Sequence, residues 1–257
     1  MKIALIGFGN MGQELAKLAE KDPCFDIVSI SYRQKKDRLD IPGIQQADVA
    51  IDFTSPEIVM ENIVSVTNLG VHMVVGTTGW YDEIQKVKKL VTKKGTGLIY
   101  GQNFSIGANI FFKIVSYASS LFASFERYDV YGFEVHHRGK KDSPSGTAKK
   151  LSGVVMGNIA RKKKLQTARL DRKITGDELH FASIRGGTNF GRHTITFESL
   201  ADEISLIHQA HGRQGFAEGA LLAAEFIRNR KGLVSFEELF DKPAFVKKFG
   251  EAKEVKE

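Results

Sequence analysis

The sequence predicts an α/β protein in which an N-terminal Rossmann-like, doubly wound parallel sheet is followed by a second α+β domain with a mixed or antiparallel sheet. Three observations predict it. Short apolar strands alternate with amphipathic helices up to residue 104, a glycine-rich turn joins the first strand to the first helix, and beyond residue 104 several strands follow with little helix between them. With 257 residues, 42% of them hydrophobic, the chain is long enough to fill two cores.

Residues 2–6 are the first strand, apolar and followed at once by glycine. Residues 11–21 form a helix that Pro23 ends, and 25–31 the second strand. A third strand at 49–53, a helix at 56–69 opened by Pro56, and a fourth strand at 72–75 continue the alternation. A helix at 82–94 and a fifth strand at 98–100 complete a doubly wound half. An apolar helix at 106–121 then leads into strands at 129–137, 179–185, 193–199 and 204–208, mostly joined by short turns with Gly, Asn or Asp. One helix, 147–161, lies against them, and the last helix, 216–228, resumes the α/β texture. The expected domains are 1–104, binding a dinucleotide and rejoined by 216–257, and 105–215, binding the substrate. The mixed-charge end, 247–257, reads as a frayed tail.

The 37 basic residues exceed the 30 acidic ones by seven, so the field of the chain concentrates anions. Basic residues are spread along the sequence, with short clusters only at 33–36 and 161–164 and no basic tail beside stacking aromatics. That pattern argues against nucleic acid and for a small polyanionic ligand. The run from Arg161 to Lys164 is expected as a solvated helix end, where cations suit the dipole. No apolar stretch approaches the roughly 20 residues of a membrane helix, and residue 1 opens a strand rather than a leader. No membrane partner and a cytoplasmic location are therefore expected. Cys24 is the only cysteine, which excludes an intrachain disulfide, a cysteine zinc cluster and a thiol redox pair; it is expected as a small buried hydrophobe. His72, His180, His193, His208 and His211 show no ligand spacing with carboxylates, and no metal is assigned.

Gly7, Phe8, Gly9, Asn10, Met11 and Gly12 spell GxGxxG between the first strand and the first helix, the context that makes this pattern a dinucleotide fingerprint. Gly7 allows the turn, Gly9 lets the backbone approach a pyrophosphate, and Gly12 lets helix and strand pack closely. At the end of the second strand, where an acid would hold a ribose 2′-hydroxyl, stand Ser31, Tyr32, Arg33, Gln34, Lys35 and Lys36. Arg33, with Lys35 or Lys36 and the Ser31 hydroxyl, suits a 2′-phosphate, so NADPH is expected over NADH. Gly76, Thr77, Thr78 and Gly79 follow the fourth strand at its carboxyl end, where a nicotinamide ribose or carboxamide could meet them; position alone leaves a plain polar turn as open. Arg213 and Phe216, at the start of the last helix, are further candidates for reaching the cofactor.

Residues 134–147 (EVHHRGKKDSPSGT) leave a strand, cross a polar loop and enter a helix. Ser145, Gly146 and Thr147 stand at the helix start, where N–H groups and hydroxyls make an anion site, an N-cap, or both. His136 and His137 project to opposite faces of an extended strand, so at most one faces a ligand while the other packs or orients. Two histidines with Arg138, Lys140 and Lys141 repel one another unless something negative fills the site. A histidine titrates near neutrality and can donate a proton after a hydride arrives; a nearby lysine can hold a carboxylate or help protonate.

At these residues the chain resembles the dihydrodipicolinate reductase family. The resemblance covers nearly the whole chain: GFGNMG at 7–12, IDFT at 51–54, VGTTG at 75–79, QNFSIG at 102–107 and above all E-x-H-H-x-x-K-x-D-x-P-S-G-T-A at 134–148. It implies reduction, in lysine and diaminopimelate biosynthesis, of the cyclic imine dicarboxylate derived from 4-hydroxy-tetrahydrodipicolinate. It implies a proton donor at His136 and a second donor or carboxylate partner at Lys140, with substrate contacts from His137, Ser145, Gly146, Thr147 and Thr78. Cofactor contacts are implied from Gly7 to Gly12, from Gly76 to Thr78, and from Gly101, Gln102, Asn103 and Phe104. A homotetramer built on the sheet of the second domain is implied as well. Ser31, Tyr32 and Arg33 depart from the acid of NADH-competent members, which leaves NADH as the second cofactor. A regulatory dinucleotide-binding module would have no use for the histidine and lysine loop, and a dehydrogenase with a nucleophilic cysteine would have only Cys24.

Overall fold

A strand that is apolar on both faces has no side to show to water, and β1 (Lys2–Ile6) is buried at Ile3, Ala4, Leu5 and Ile6 alike. In the computed structural model, which describes residues 1–32 and 38–250, β1 lies inside a six-stranded parallel sheet. The order is β11 (Gly232–Ser235), β5 (Gly97–Tyr100), β4 (His72–Val75), β3 (Val49–Asp52), β1 and β2 (Asp26–Ser31). The winding reverses between β1 and β3, the switch point at which open α/β sheets form their ligand crevice. On one face α1 (Asn10–Ala19) and α7 (Gln214–Ile227) pack Leu15, Ala16, Ala220 and Ala224 over Ile3, Leu5, Ile51 and Val74. On the other, α3 (Pro56–Asn68) and α4 (Ile84–Lys94) set Val59, Ile63, Val66, Val87 and Val91 against Ala4, Ile6, Met73 and Leu98. This unit comprises Met1–Ile106 and Arg213–Glu257, so the chain leaves it after β5 and returns through α7.

The second unit, Gly107–Gly212, holds a five-stranded mixed sheet in the order β10 (Glu203–Gln209), β9 (Arg192–Glu198), β6 (Asp129–His136), β8 (Glu178–Arg185) and β7 (Lys164–Gln166). β9 is antiparallel to β6 and β10, whereas β8 is parallel to β6 and β7. The connection from β8 to β9 therefore crosses the end of β6, and three backbone bonds fasten it there: Gly186 N–H to His136 O at 2.9 Å, His137 N–H to Asn189 O at 2.7 Å, and Arg138 N–H to Gly187 O at 3.3 Å. One face of the sheet is covered by α5 (Ile106–Phe122) and α6 (Gly146–Asn158), through Phe111, Phe112, Val115, Leu151 and Val155.

Several expectations are corrected. The run from Arg161 to Lys164 is not a solvated helix end: α6 stops at Asn158, and Lys162, 3% exposed, donates to Glu178 O at 2.7 Å and meets Asp129 Oδ1 at 2.5 Å. Arg161 caps the Ala123 and Tyr128 carbonyls at 3.0 and 2.7 Å. Cys24 is exposed, because it lies in the surface turn after α1, where its carbonyl accepts from the N-terminal ammonium. Part of the expected tail forms α8 (Pro243–Gly250), anchored by Phe245 against Phe226 and Phe240; residues 251–257 lie outside the described residues. Among the described residues no helix is long and apolar enough to cross a membrane.

Candidate active site

Two polar regions, one in each unit, collect most of the residues singled out above. In the first unit, Gly7 makes its turn at φ 90°, and a Cβ on Gly12 would run into the Gly7 carbonyl, so the close strand-to-helix approach depends on glycine at both positions. The exposed N-terminus of α1 has no side-chain cap and no acid in its first turn, which leaves its N–H groups for an anion. Gly9, Asn10 and Met11 line a cleft of about 450 Å³ with Gly76, Thr77 and Thr78. Phe53, Thr54, Pro56 and Arg213 complete it.

Beneath this cleft Asp52, fully buried at the end of β3, accepts from the Thr54 N–H at 3.1 Å, the Thr54 and Thr77 hydroxyls at 2.8 and 2.7 Å, and Asn62 Nδ2 at 2.8 Å. Trp80 Nε1 donates to the Thr77 carbonyl at 2.9 Å. Thr77 therefore fixes the loop with its side chain, while the exposed Thr78 is free of that duty. Asp52 and Asn62 went unassigned in the sequence; the signal was the polar Asp-Phe-Thr that ends an otherwise apolar strand. Asp52→Ala would orphan several buried donors and is expected to lower stability by about 2–4 kcal/mol, read as a lower urea midpoint at unchanged slope.

Not every expected contact gathers at this cleft. Gly101 and Gln102 line a separate cavity of about 290 Å³ with Tyr81, Tyr100, Ser235 and Glu237. Phe104 is a core residue, 2% exposed and 4.7 Å from the Phe236 ring, and Asn103 Oδ1 accepts from the Ser105 N–H. Ser31 is 4% exposed and its hydroxyl accepts from the Asp40 N–H, so it anchors the returning loop rather than offering itself to a phosphate. Arg33, Lys35 and Lys36 lie outside the described residues.

In the second unit, the helix-covered face of the sheet is apolar at Val130, Phe181, Ile195 and Phe197 and turns polar at the end of β6. Register explains this: Glu134 pairs with Ser183 on one side and His193 on the other, and His193 pairs in turn with His208. Glu134, fully buried, accepts from the Ser145 N–H, the Ser183 hydroxyl and Arg185 Nη2, each at 2.9 Å, and from the Ser145 hydroxyl. His136 Nδ1 and His193 Nε2 each stand 3.3 Å from its second oxygen. Burial pushes the Glu134 carboxyl up, but bonds from His193, Ser145 and Arg185 outweigh it and hold the group well below the usual carboxylate range. His136 is 6% exposed, and burial pushes its pKa down to about 4, with Glu134 opposing and His193, Lys140 and Arg185 reinforcing the shift. In the free protein this imidazole is neutral at neutral pH.

Two of the cations gathered here are met by the chain's own carboxylates, Glu134 facing Arg185 and Asp142 facing Lys140 Nζ at 2.7 Å. For Lys140, then, the negative partner expected of a ligand is supplied by the loop itself. Ser145 caps α6 by accepting from the Ala148 N–H at 3.1 Å, and its own donors serve Glu134, so the first turn presents exposed Gly146 and half-buried Thr147 beyond it. His137, the first residue beyond β6, is half-buried. His193 also gains the carboxylate that sequence spacing did not show, because its partner is across the strand. Glu134, His136 and His193 hold ligand-type atoms within 4.8 Å of one another, but the carboxylate already faces a guanidinium and three further hydrogen-bond donors.

Residues 1–104 match the family described as "Dihydrodipicolinate reductase, N-terminus" and residues 107–240 the one described as "Dihydrodipicolinate reductase, C-terminus". A 4-hydroxy-tetrahydrodipicolinate reductase of Christiangramia forsetii is 34% identical over 239 residues, 93% of this chain and 97% of the relative. One from Cupriavidus taiwanensis is 37% identical over 192 residues, 73% of this chain and 71% of its own. Among solved structures, a dipicolinate-bound dihydrodipicolinate reductase from a Paenisporosarcina species superposes with a TM-score of 0.76 at 25% identity, covering 91% of this chain and 97% of its own.

Proposed function

Because the chain belongs to the dihydrodipicolinate reductase family, we propose that it reduces the cyclic imine dicarboxylate derived from 4-hydroxy-tetrahydrodipicolinate to tetrahydrodipicolinate, in lysine and diaminopimelate biosynthesis. The observation that carries this reading is the family's long histidine and lysine motif at 134–148, folded so that His136 rests on a buried carboxylate. The first unit is the dinucleotide-binding domain, and its residues fit that role: the uncapped start of α1 suits phosphates, and a Cβ on Gly9 would stand in the cleft rather than in protein. The nicotinamide cofactor, when bound, supplies the hydride. The second unit binds the substrate.

His136 is assigned the accompanying proton. Its burial disfavours charge in the free protein, and two substrate carboxylates arriving nearby favour the imidazolium by Coulomb attraction. The ring therefore takes up the proton it donates chiefly when there is a substrate to receive it. Lys140 exchanges Asp142 for a substrate carboxylate or serves as a second donor. Gly146 and Thr147, on the first turn of α6, receive the other carboxylate with His137, and Ser145 holds that turn in place. Thr78 is assigned a substrate contact of its own. Gly7 to Gly12 and Gly76 to Thr78 hold the cofactor, with Arg213 beside them. Gly101, Gln102, Asn103 and Phe104 are assigned to the cofactor through backbone and loop rather than through the Phe104 ring. Arg33 meets a 2′-phosphate. The enzyme is placed in the cytoplasm as a homotetramer, for which the open sheet face offers Ile184 and Ile207, each 50% exposed.

The test follows nicotinamide absorbance with substrate generated in place by the upstream synthase. Turnover is expected with both cofactors, and NADPH is expected to show a KM at least roughly tenfold lower, as one charge-assisted contact to the 2′-phosphate would provide. A tenfold preference for NADH would overturn the cofactor assignment, and no turnover with either would overturn the reaction.

A further inference from the structure

Glu134 opens the motif at 134–148 and is not among the groups proposed to meet substrate or cofactor. Its first carboxylate oxygen accepts from the Ser145 N–H, the Ser183 hydroxyl and Arg185 Nη2, and its second from the Ser145 hydroxyl. An anion saturated in this way and shut off from water neither turns nor takes up a proton without orphaning several partners. Since a carboxylate only accepts, any imidazole nitrogen turned toward it is stabilised as N–H. The nitrogen of His136 that faces it is Nδ1, at 3.3 Å. That approach is off the line of a completed hydrogen bond, so its hold on the ring is electrostatic and strengthens when the ring becomes a cation.

A second observation bears on the other ring nitrogen. A Cβ on Gly191, which stands at φ 143°, would lie 2.9 Å from His136 Nε2. Glycine there puts no side chain of its own over Nε2. The carboxylate fixes the hydrogen on one nitrogen, and the glycine keeps the other accessible. We propose that Glu134 is a positioning residue that fixes the tautomer of His136, holding Nδ1–H so that Nε2 is the atom that exchanges the proton with substrate. The role of His136 in that exchange rests on the reductase reading; the tautomer does not. The other titratable or charged groups facing the ring are His193 on β9, Arg185 on β8 and Lys140 in the loop. The competing account makes Glu134 only a brace for the start of α6 through Ser145, which predicts a stability loss and an unchanged tautomer.

The experiment combines magic-angle-spinning 15N spectra of the full chain labelled at histidine, with His136 assigned from His136→Gln, and steady-state kinetics of Glu134→Gln. In the wild type above the histidine titration range, His136 is expected as the Nδ1–H form. In Glu134→Gln, whose amide no longer presents a fixed anion, the ring is expected to shift toward Nε2–H, with kcat down about 30- to 100-fold and NADPH affinity unchanged within about twofold. A wild-type His136 found as Nε2–H overturns the proposal even if the variant fails to fold. So does a folded variant that keeps both its tautomer and its kcat within about threefold. A wild type without turnover but with the Nδ1–H form would sink the reductase reading and leave the positioning claim supported.

Discussion

His136→Gln is expected to lower kcat by at least roughly 100-fold while leaving NADPH affinity unchanged, because glutamine keeps a polar group at the site but cannot take up and hand over a proton. The surrounding frame of Ser145, Ser183, Arg185 and His193 on Glu134 does not depend on the His136 ring, so folding should survive the change. Lys140→Ala is expected to cost at least as much as roughly 100-fold in kcat/KM. Its lost ion pair with Asp142 matters little for stability, since Asp142 is 54% exposed and such pairs are worth about 1 kcal/mol or less. The way the loss divides between the kinetic constants decides the lysine's role. A raised KM at constant kcat marks a holder of the substrate carboxylate, and a lowered kcat marks a second donor. Losses under about tenfold for both variants would remove the acid loop from the chemistry.

Gly12→Val is expected to raise the dissociation constant of NADPH by at least about tenfold and to cost about 1–3 kcal/mol of stability, because its side chain starts against the Gly7 carbonyl and α1 must move off the sheet. Gly9→Ala separates the two effects. No atom lies within 4 Å of the added Cβ, so folding stability is expected to hold while affinity falls, the methyl group standing in the cleft where a pyrophosphate would approach. Calorimetric titration with NADPH, beside urea unfolding, reads both. Unchanged affinity in both variants would mean that the cofactor sits elsewhere.

Where local chemistry decides, the sequence was a reliable guide. The strand at 72–75 is β4 to the residue, and the glycine turn stands where the GxGxxG spacing put it, because a turn between an apolar strand and a helix is settled by neighbours a few residues apart. Elements decided by distant pairing were not legible. β11 is four residues long and exists because it adds to the edge of β5, and β7 exists because it pairs with β8. Lys162 read as one cation among several, and only the fold brings Asp129 and the Glu178 carbonyl to it. The candidate site divides the same way. His136, Lys140 and Ser145 stand in one contiguous motif with Glu134, but that this carboxylate faces both imidazoles follows only from the register of β6, β8 and β9. Arg185 lies 51 residues beyond Glu134 and His193 further still, and no spacing rule reaches that far.

The strap from β8 to β9 gives the molecule an indirect handle on its own acidity. Because its peptide groups are knotted to those of residues 136 to 138, lengthening or shortening it by even one residue would tilt the imidazole against its anion without replacing any side chain that meets substrate. Drift in loop length, usually harmless at a protein's surface, would here be felt as a change in reaction rate.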